Sequence, residues 1–279
     1  MKRTRVINVD GLKIGGDNPL VLFAGPCVIE SEESARRIAD ELKKIAADVG
    51  LKLVFKASYD KANRSSITGF RGPGLRAGLE ILNRIGRDFD VPVMSDVHAV
   101  AEMSEASDAL DVVQIPAFLS RQTDLLVEAG LCGKPVNIKK GQFMSPEEMG
   151  NAIQKVKSGG SDLVMVTERG TTFGYNNLVV DMRSLQVMRE FTCPVIFDGT
   201  HSVQLPAGQG TSSGGRREFV PVLCRAAVGA GVDAVFLEVH DNPDEALCDG
   251  PNMLPLSQLR PLLLVLKTLD RIARLEQLE

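Results

Sequence analysis

The sequence predicts a single (β/α)8 barrel, the TIM-barrel fold, spanning residues 1–279. Eight short apolar segments each precede an amphipathic stretch with helical spacing, and about 260 residues hold all eight units. The apolar segments do not alternate with polar residues, as expected for parallel strands covered on both faces. Because no linker or low-complexity segment interrupts the pattern, we expect one domain.

The predicted strands are rich in β-branched and other apolar residues. In chain order they are Leu20–Gly25, Leu53–Ala57, Val91–Val97, Val112–Pro116, Val136–Lys140, Leu163–Thr167, Pro194–Phe197 and Ala234–Val239. The predicted helices that follow them are Glu33–Val49, Leu75–Phe89, Val100–Ala109, Thr123–Ala129, Pro146–Lys157, Met182–Phe191, Arg216–Ala230 and Leu256–Leu275. Ser31 and Ser145 are the expected N-caps of the first and fifth helices.

An extension of residues 1–18 precedes the first unit. Within it, Arg5–Ile14 reads as a β-hairpin with Asp10-Gly11 at its turn. We expect this hairpin to close the bottom of the barrel. The alternative architecture is an open, doubly wound sheet, but no GxGxxG motif follows the first strand, which disfavours it.

Composition excludes several classes of function. The chain has no Trp, two Tyr and a net charge of −4, which disfavours nucleic-acid binding. No apolar run approaches the ~20 residues of a membrane span, and no secretory signal is visible. The five cysteines are scattered and lack CxxC spacing, which predicts a reduced, cytoplasmic protein.

Chemistry in a (β/α)8 barrel lies at the carboxyl ends of its strands. Seven cationic residues follow strand ends here: Lys56, Lys61, Arg64, Arg121, Lys139, Lys140 and Arg169. Such a group in an acidic protein predicts a substrate with several phosphate or carboxylate charges. For any single member, a solvated surface charge is about as good an explanation as a role in substrate binding. Lys56 and Lys139 are exceptions, because they lie inside apolar segments where an unpaired charge is costly.

A second group follows the first, seventh and eighth strands, which are neighbours in a closed barrel. Its members are Cys27, His201, Glu238 and Asp249. A thiolate, an imidazole and two carboxylates suit a divalent ion such as Mn, Fe, Co or Zn. The spacing of these residues is not a short linear motif, so it is weak evidence for a metal site. Taken alone, Cys27 is better explained as a small buried apolar residue than as a metal ligand. His201 alone is explained equally well as a hydrogen-bonded histidine and as a ligand.

Several long motifs resemble the 3-deoxy-D-manno-octulosonate 8-phosphate synthase family. They are FAGPCVIESEE (Phe23–Glu33), FKASYDKANRSSITGFRGPGL (Phe55–Leu75), QIPAFLSRQTDLL (Gln114–Leu126), NIKKGQF (Asn137–Phe143), TERGTTFGYNNLVVDMRSL (Thr167–Leu185), FDGTHSVQLP (Phe197–Pro206) and SGGRREF (Ser213–Phe219). The resemblance covers nearly the whole chain. It implies condensation of phosphoenolpyruvate with arabinose 5-phosphate and water, giving an eight-carbon keto sugar acid phosphate for lipopolysaccharide synthesis and inorganic phosphate.

The resemblance also implies roles for individual residues. Phosphoenolpyruvate is expected to contact Lys56, Ser58, Lys61, Gln114, Ala117, Lys139 and Arg169. Arabinose 5-phosphate is expected to contact Asn63, Arg64, Ser65 and, through its hydroxyls, Asp96. Arg121 is expected to reach a neighbouring subunit's site in a homotetramer. The expected catalytic residues are Lys56, Lys139, His201 and Asp249.

The family has a metal-dependent class with Cys at the position of Cys27 and a metal-independent class with Asn there. Cys27 therefore implies a divalent metal held with His201, Glu238 and Asp249. The segment Cys248-Asp249-Gly250-Pro251 departs from this pattern, because it resembles the metal-independent class.

Three other functions stay open at this point. Heptulosonate 7-phosphate synthases share the barrel and use erythrose 4-phosphate, but typically carry Lys-Pro-Arg-Thr-Ser where this chain has Lys-Ala-Asn-Arg-Ser-Ser. A Schiff-base aldolase would use Lys139 as its nucleophile. A non-catalytic anion-binding barrel would leave the four metal-ligand candidates without a purpose.

Overall fold

The computed structural model describes residues 2–64, 66–206 and 214–275. Its strands are β1 (Ile7–Val9), β2 (Leu12–Ile14), β3 (Val21–Gly25), β4 (Lys52–Lys56), β5 (Val93–Asp96), β6 (Val112–Ile115), β7 (Val136–Lys139), β8 (Val164–Glu168), β9 (Thr171–Thr172), β10 (Leu178–Val179), β11 (Val195–Asp198), β12 (Gln204–Leu205), β13 (Gly214–Gly215), β14 (Ala234–His240) and β15 (Leu254–Pro255). Its helices are α1 (Glu32–Val49), α2 (Leu75–Phe89), α3 (Met103–Ala109), α4 (Thr123–Leu131), α5 (Met149–Ser158), α6 (Arg183–Arg189), α7 (Val220–Gly229) and α8 (Leu256–Leu275).

Eight parallel strands close into the predicted barrel. Strands β3 to β8 pair in chain order, β8 pairs with β11, and β14 pairs with both β11 and β3. The last pairing joins the first and eighth barrel strands over five residue pairs, from Ala234 opposite Val21 to Glu238 opposite Gly25. The (β/α)8 prediction is therefore confirmed. None of the described helices combines the length and apolarity needed to cross a bilayer.

The N-terminal hairpin closes the barrel at the amino ends of its strands, as predicted. Asp10 and Gly11 both have positive φ, which suits a two-residue hairpin turn. The side chains of Ile7, Val9, Leu12 and Ile14 are buried with the first interior side chains of the barrel strands, including Val21 and Ala234. The carboxyl ends of the strands are therefore the barrel's open side.

Three predicted helices begin three or more residues later than the sequence pattern indicates. Helix α3 begins at Met103 because Val100–Glu102 forms a separate 3-10 turn. Helix α5 begins at Met149 because the residues before it form a tighter turn, in which the Met149 amide donates to the Pro146 carbonyl and the Gly150 amide to the Glu147 carbonyl. Ser145 and Glu148 cap this turn reciprocally: the Ser145 hydroxyl accepts from the Glu148 amide, and the Glu148 carboxylate accepts from the Ser145 amide. Helix α7 begins at Val220 because Arg217–Phe219 forms a separate 3-10 turn.

A buried ion pair fastens the bottom of the barrel. The Arg189 guanidinium on α6 lies 3.0 Å from the Asp233 carboxylate at the start of β14, and it also donates to the Gly231 carbonyl. Asp233 further accepts from the Thr4 hydroxyl and the Val195 amide. Burial raises the pKa of Asp233, an effect that Arg189 opposes.

Replacing Arg189 with Met is expected to lower the free energy of unfolding by about 3–5 kcal/mol, because Asp233 would remain buried without its counter-charge. Urea denaturation followed by circular dichroism measures the change. The double variant Arg189→Met/Asp233→Asn should recover part of the loss, since it removes both charges. A single variant as stable as the parent would contradict this account.

Candidate active site

The open end of the barrel holds a cavity of about 400 Å³. Its wall includes eleven of the residues predicted from the sequence: Lys56, Lys61, Asn63, Arg64, Asp96, Gln114, Ala117, Lys139, Arg169, His201 and Asp249. Three more, Cys27, Ser58 and Glu238, are buried in direct contact with members of that wall. The fold thus gathers most of the predicted site at one place.

Gly25 allows the first two barrel strands to approach closely beneath the site. A Cβ atom at Gly25 would collide with the Lys56 carbonyl on β4. Just beyond the ends of β3 and β4, the Ser58 amide donates to the Cys27 carbonyl (3.3 Å), so the two chain segments stay hydrogen-bonded to each other. Glycine at the end of β3 therefore sets the position of the Cys27 side chain.

A chain of buried side chains crosses four strands and ends on Asp96. The Thr167 hydroxyl donates to the side-chain oxygen of Asn137 (2.7 Å), and the side-chain nitrogen of Asn137 donates to the side-chain oxygen of Gln114 (3.0 Å). Gln114 in turn donates to one oxygen of Asp96, while the Ser58 hydroxyl donates to the other. Each donor has a single acceptor, so the network fixes the side-chain orientation of Gln114.

Asp96 is also the counter-ion of two buried lysines. The Lys56 ammonium lies 3.6 Å from Asp96 and 3.5 Å from Glu238, and the Lys61 ammonium lies 4.0 and 3.6 Å from the same carboxylates. Burial disfavours the charged carboxylate, but Lys56 and Lys61 outweigh it and hold the pKa of Asp96 below its usual range. Asp96 is therefore ionised and serves as the counter-ion of both lysines.

Lys139, Asp198 and His201 form a second buried group. Lys139 donates to Asp198, and its ammonium lies 3.3 Å from the centre of the Phe236 ring. Burial lowers the pKa of Lys139 to about 8, although Asp198 opposes that change. Asp198 also accepts from the His201 backbone amide (2.8 Å) and lies 2.8 Å from Nδ1 of the same residue.

The Asp198 contact directs Nε2 of His201 towards two further carboxylates. Nε2 lies 3.6 Å from Asp249 and 3.8 Å from Glu238. Burial lowers the pKa of His201, but Asp198 and Glu238 outweigh it and raise the pKa to about 9. A carboxylate on one imidazole nitrogen with carboxylates around the other is an arrangement found in metal sites.

Glu238 is fully buried, yet neither of its carboxylate oxygens accepts a hydrogen bond from the described residues. An ionised carboxylate without such partners is costly inside a protein. Lys61, His201 and Lys56 hold the pKa of Glu238 below its usual value against the effect of burial. A cation bound between Glu238 and His201 would satisfy this carboxylate.

Asp249 connects the two halves of the candidate metal site. Its carboxylate lies 3.5 Å from the Cys27 sulfur and 3.6 Å from His201 Nε2. The donor atoms form two groups that share this residue: Cys27 with Cys248 and Asp249, and His201 with Glu238 and Asp249. Asp249 has a φ of 49°, a conformation that non-glycine residues adopt mainly where surrounding structure requires it.

Arg169 presents an unused donor to the cavity. One guanidinium nitrogen donates to Gln204 (3.1 Å), whereas Nη1 is buried without a hydrogen-bond partner among the described residues. The backbone at Arg169 is fixed by hydrogen bonds, because the Glu168 carboxylate accepts from the amides of Arg169 and Gly170. The guanidinium is thus prepared to bind an anion.

Two sequence-predicted residues lie elsewhere. Lys140, grouped with the rim cations, is instead fully buried, pairs with Glu168 (3.4 Å) and does not line the cavity. Arg121 is exposed beside a separate groove, so its role at a neighbouring subunit's site stays a prediction. Ser65 lies outside the described residues.

Sequence reasoning assigned no role to Asp198, Asn137, Thr167 or Cys248. Asp198 had a usable signal, since it directly ends a barrel strand. Asn137 and Thr167 had a weaker one, because each is a polar residue inside an apolar strand segment.

Known proteins resemble this chain over nearly its whole length. Residues 4–274 match the family model described as the DAHP synthetase I family. A 2-dehydro-3-deoxyphosphooctonate aldolase of Geobacter sp. (strain M21) is 58% identical over 269 residues, 96% of this chain and 98% of that protein. The proteins of the same name from Geobacter sulfurreducens and Desulfotalea psychrophila are 56% and 57% identical, over 97% and 92% of this chain and 100% and 91% of those proteins. The chain therefore belongs to the DAHP synthetase I family, among its 2-dehydro-3-deoxyphosphooctonate aldolases.

Proposed function

We propose that this enzyme condenses phosphoenolpyruvate with arabinose 5-phosphate and water, releasing inorganic phosphate and 3-deoxy-D-manno-octulosonate 8-phosphate for lipopolysaccharide synthesis. The observation that carries the proposal is the cavity wall, where Lys56, Lys61, Lys139 and Arg169 converge. The name of the relatives denotes a phosphorylated eight-carbon acid that is 2-dehydro and 3-deoxy, the product that these substrates yield.

The side chains of this chain would act mainly by orientation and charge. Lys56, Lys139 and Arg169 neutralise the carboxylate and phosphate of phosphoenolpyruvate and hold its C3 towards the aldehyde carbon. C3 attacks the aldehyde, water adds at C2, and the resulting tetrahedral intermediate expels phosphate by C–O cleavage. Asn63 and Arg64, at the outer part of the cavity, bind the pentose phosphate, and Asp96 accepts from its hydroxyls.

We further propose that Cys27, His201, Glu238 and Asp249 hold a divalent ion such as Mn, Fe, Co or Zn. The carboxylate of Glu238 supports this site, because it accepts no hydrogen bond from the described residues. Three donor separations support it as well: Cys27–Asp249, His201–Asp249 and His201–Glu238 are 3.5, 3.6 and 3.8 Å. Tetrahedral ligands about 2.0–2.3 Å from one ion lie about 3.3–3.8 Å apart. Burial and Cys248 raise the pKa of Cys27, so binding through its sulfur would release a proton. When bound, the ion would polarise the aldehyde or orient the water.

The test is phosphate release from phosphoenolpyruvate and arabinose 5-phosphate by enzyme stripped with EDTA, before and after Mn²⁺ is added. We expect activity to vanish on stripping and to return with the metal. Activity that EDTA does not change would support the proposed reaction and contradict the proposed metal site. Release of phosphate with erythrose 4-phosphate alone would instead assign the heptulosonate reaction.

A Schiff-base mechanism through Lys139 predicts that borohydride traps a covalent substrate adduct. We expect no adduct, because Lys139 is engaged by Asp198 and the family reaction needs no imine. Intact mass spectrometry after borohydride treatment decides between the two.

We also propose a homotetramer in the cytoplasm. Exposed apolar side chains near the open end, including Phe118, Phe143 and Phe173, support an interface there. The absence of disulfides among the described cysteines is consistent with a reducing compartment. Light scattering on the purified protein measures the assembly.

A further inference from the structure

Cys248 contacts Cys27 but has no role in the proposed reaction. The two sulfur atoms lie 2.8 Å apart, although 221 residues separate them in the chain. Cys27 follows β3, Cys248 lies in the loop after β14, and both side chains are buried. The barrel seam between its first and last strands therefore brings two free thiols into direct contact.

This spacing does not suit two ligands of one metal ion. Two thiolates bound tetrahedrally at about 2.3 Å would lie about 3.8 Å apart. The separations of the other neighbouring donors, 3.5 to 3.8 Å, fall in the range expected for co-ligands. The 2.8 Å separation of the thiols is closer than that and approaches the ~2.05 Å of a sulfur–sulfur bond.

We infer that Cys27 and Cys248 form a reversible disulfide when the metal-free enzyme meets a peroxide. Cys248 lines the cavity, so a molecule as small as hydrogen peroxide reaches it through the substrate opening. Its sulfur attacks the peroxide O–O bond, giving a sulfenic acid and water. The Cys27 sulfur then displaces the sulfenic hydroxyl as a second water. Two thiols lose two electrons and two protons, and one peroxide becomes two waters.

The bond would remove the Cys27 thiolate from the proposed metal site. It would also fasten the loop that carries Asp249, the residue directly after Cys248. This consequence rests on the proposed metal site, whereas formation of the disulfide rests only on the two thiols. A bound metal that occupies the Cys27 sulfur is expected to protect it from oxidation.

The test treats full-length, EDTA-stripped enzyme with hydrogen peroxide, then denatures it and counts free thiols. We expect the count to fall from five to three, with a mass loss of two hydrogens, and dithiothreitol to restore both. Digestion without reductant should give a cross-linked peptide pair containing Cys27 and Cys248. Enzyme reloaded with Mn²⁺ should keep its five thiols for longer.

Two single variants identify the thiols involved. Cys248→Ser should prevent the two-hydrogen loss, whereas Cys132→Ser, at the most accessible cysteine, should leave it intact. Oxidation that adds oxygen atoms without a cross-link, or that proceeds equally in Cys248→Ser, would overturn the inference. If the disulfide forms but EDTA does not change the activity, the disulfide inference stands and only the proposed metal site is contradicted.

Discussion

Replacing Lys139 with Met is expected to lower kcat/KM by about 10²–10³-fold, the usual effect of removing one preorganised charge from a reacting oxyanion. Lys139 is buried at the cavity wall and held by Asp198, so its ammonium needs no rearrangement to meet a bound anion. Steady-state phosphate release measures the effect. A loss of less than threefold would contradict a catalytic role.

The matched control is Lys44→Met, which removes a lysine on the exposed face of α1 whose ion pairs within the described part of the chain are with Asp40 and Glu41. It should leave kcat/KM unchanged. Thermal melting of both variants separates loss of catalysis from loss of folding, because the Lys139 variant leaves Asp198 with His201 as its remaining partner.

The pH dependence provides a second readout for Lys139. Its pKa is lowered by burial to about 8, and only the protonated form carries the charge. Activity that depends on this charge is present below pH 8 and is lost as the pH rises through about 8. Because kcat/KM reports the free enzyme, we expect its upper limb there. Lys139→Arg should move that limb to higher pH, since a guanidinium stays protonated.

The second large effect is expected for Arg169→Met, which should weaken phosphoenolpyruvate binding by about 10²–10³-fold. A hydrogen bond to a charged partner contributes about 1.5–3 kcal/mol, and a guanidinium can offer two in parallel to a phosphate or carboxylate. Nη1 of Arg169 is buried and has no hydrogen-bond partner in the parts of the chain that the structure describes, so it is the donor that such an anion would use. Isothermal titration with phosphoenolpyruvate measures the affinity directly.

Two comparison variants sharpen the Arg169 result. Arg169→Lys keeps the charge without the planar fork, so it should retain only part of the affinity. Arg76→Met, at a guanidinium that is 86% exposed, should bind as the parent does. Equal affinity in Arg169→Met and the parent would place the anion elsewhere.

The barrel was predictable because its signals are local. Each β-then-α unit has its own change of hydrophobic period, and Asp10-Gly11 specifies the hairpin turn without reference to the rest of the chain. Helix starts were less certain, as at Val220, where a 3-10 turn continues the helical pattern before the first true helical residue.

The strand order of the barrel was enough to predict which residues of the site lie near one another, but not how their side chains are arranged. Knowing that the eighth strand neighbours the first was enough to group Cys27 with Glu238 and Asp249. It could not reveal the direction in which a side chain points, which is why Lys139 lines the cavity while the adjacent Lys140 does not. The role of Asp198 depends on contacts with Lys139 and His201, residues whose proximity only the folded chain establishes.

The seam between β3 and β14 has a consequence for how the enzyme is made. It joins the two ends of the chain, and contacts so distant in sequence are costly in entropy until most of the chain is ordered. Cys27 stands on one side of the seam and Asp249 on the other, so the candidate site does not exist in any intermediate that lacks it. A ligand bound across the seam favours the closed barrel alone by mass action. Binding of substrates, or of the proposed metal, across the seam would therefore stabilise the closed barrel against states in which the seam is open.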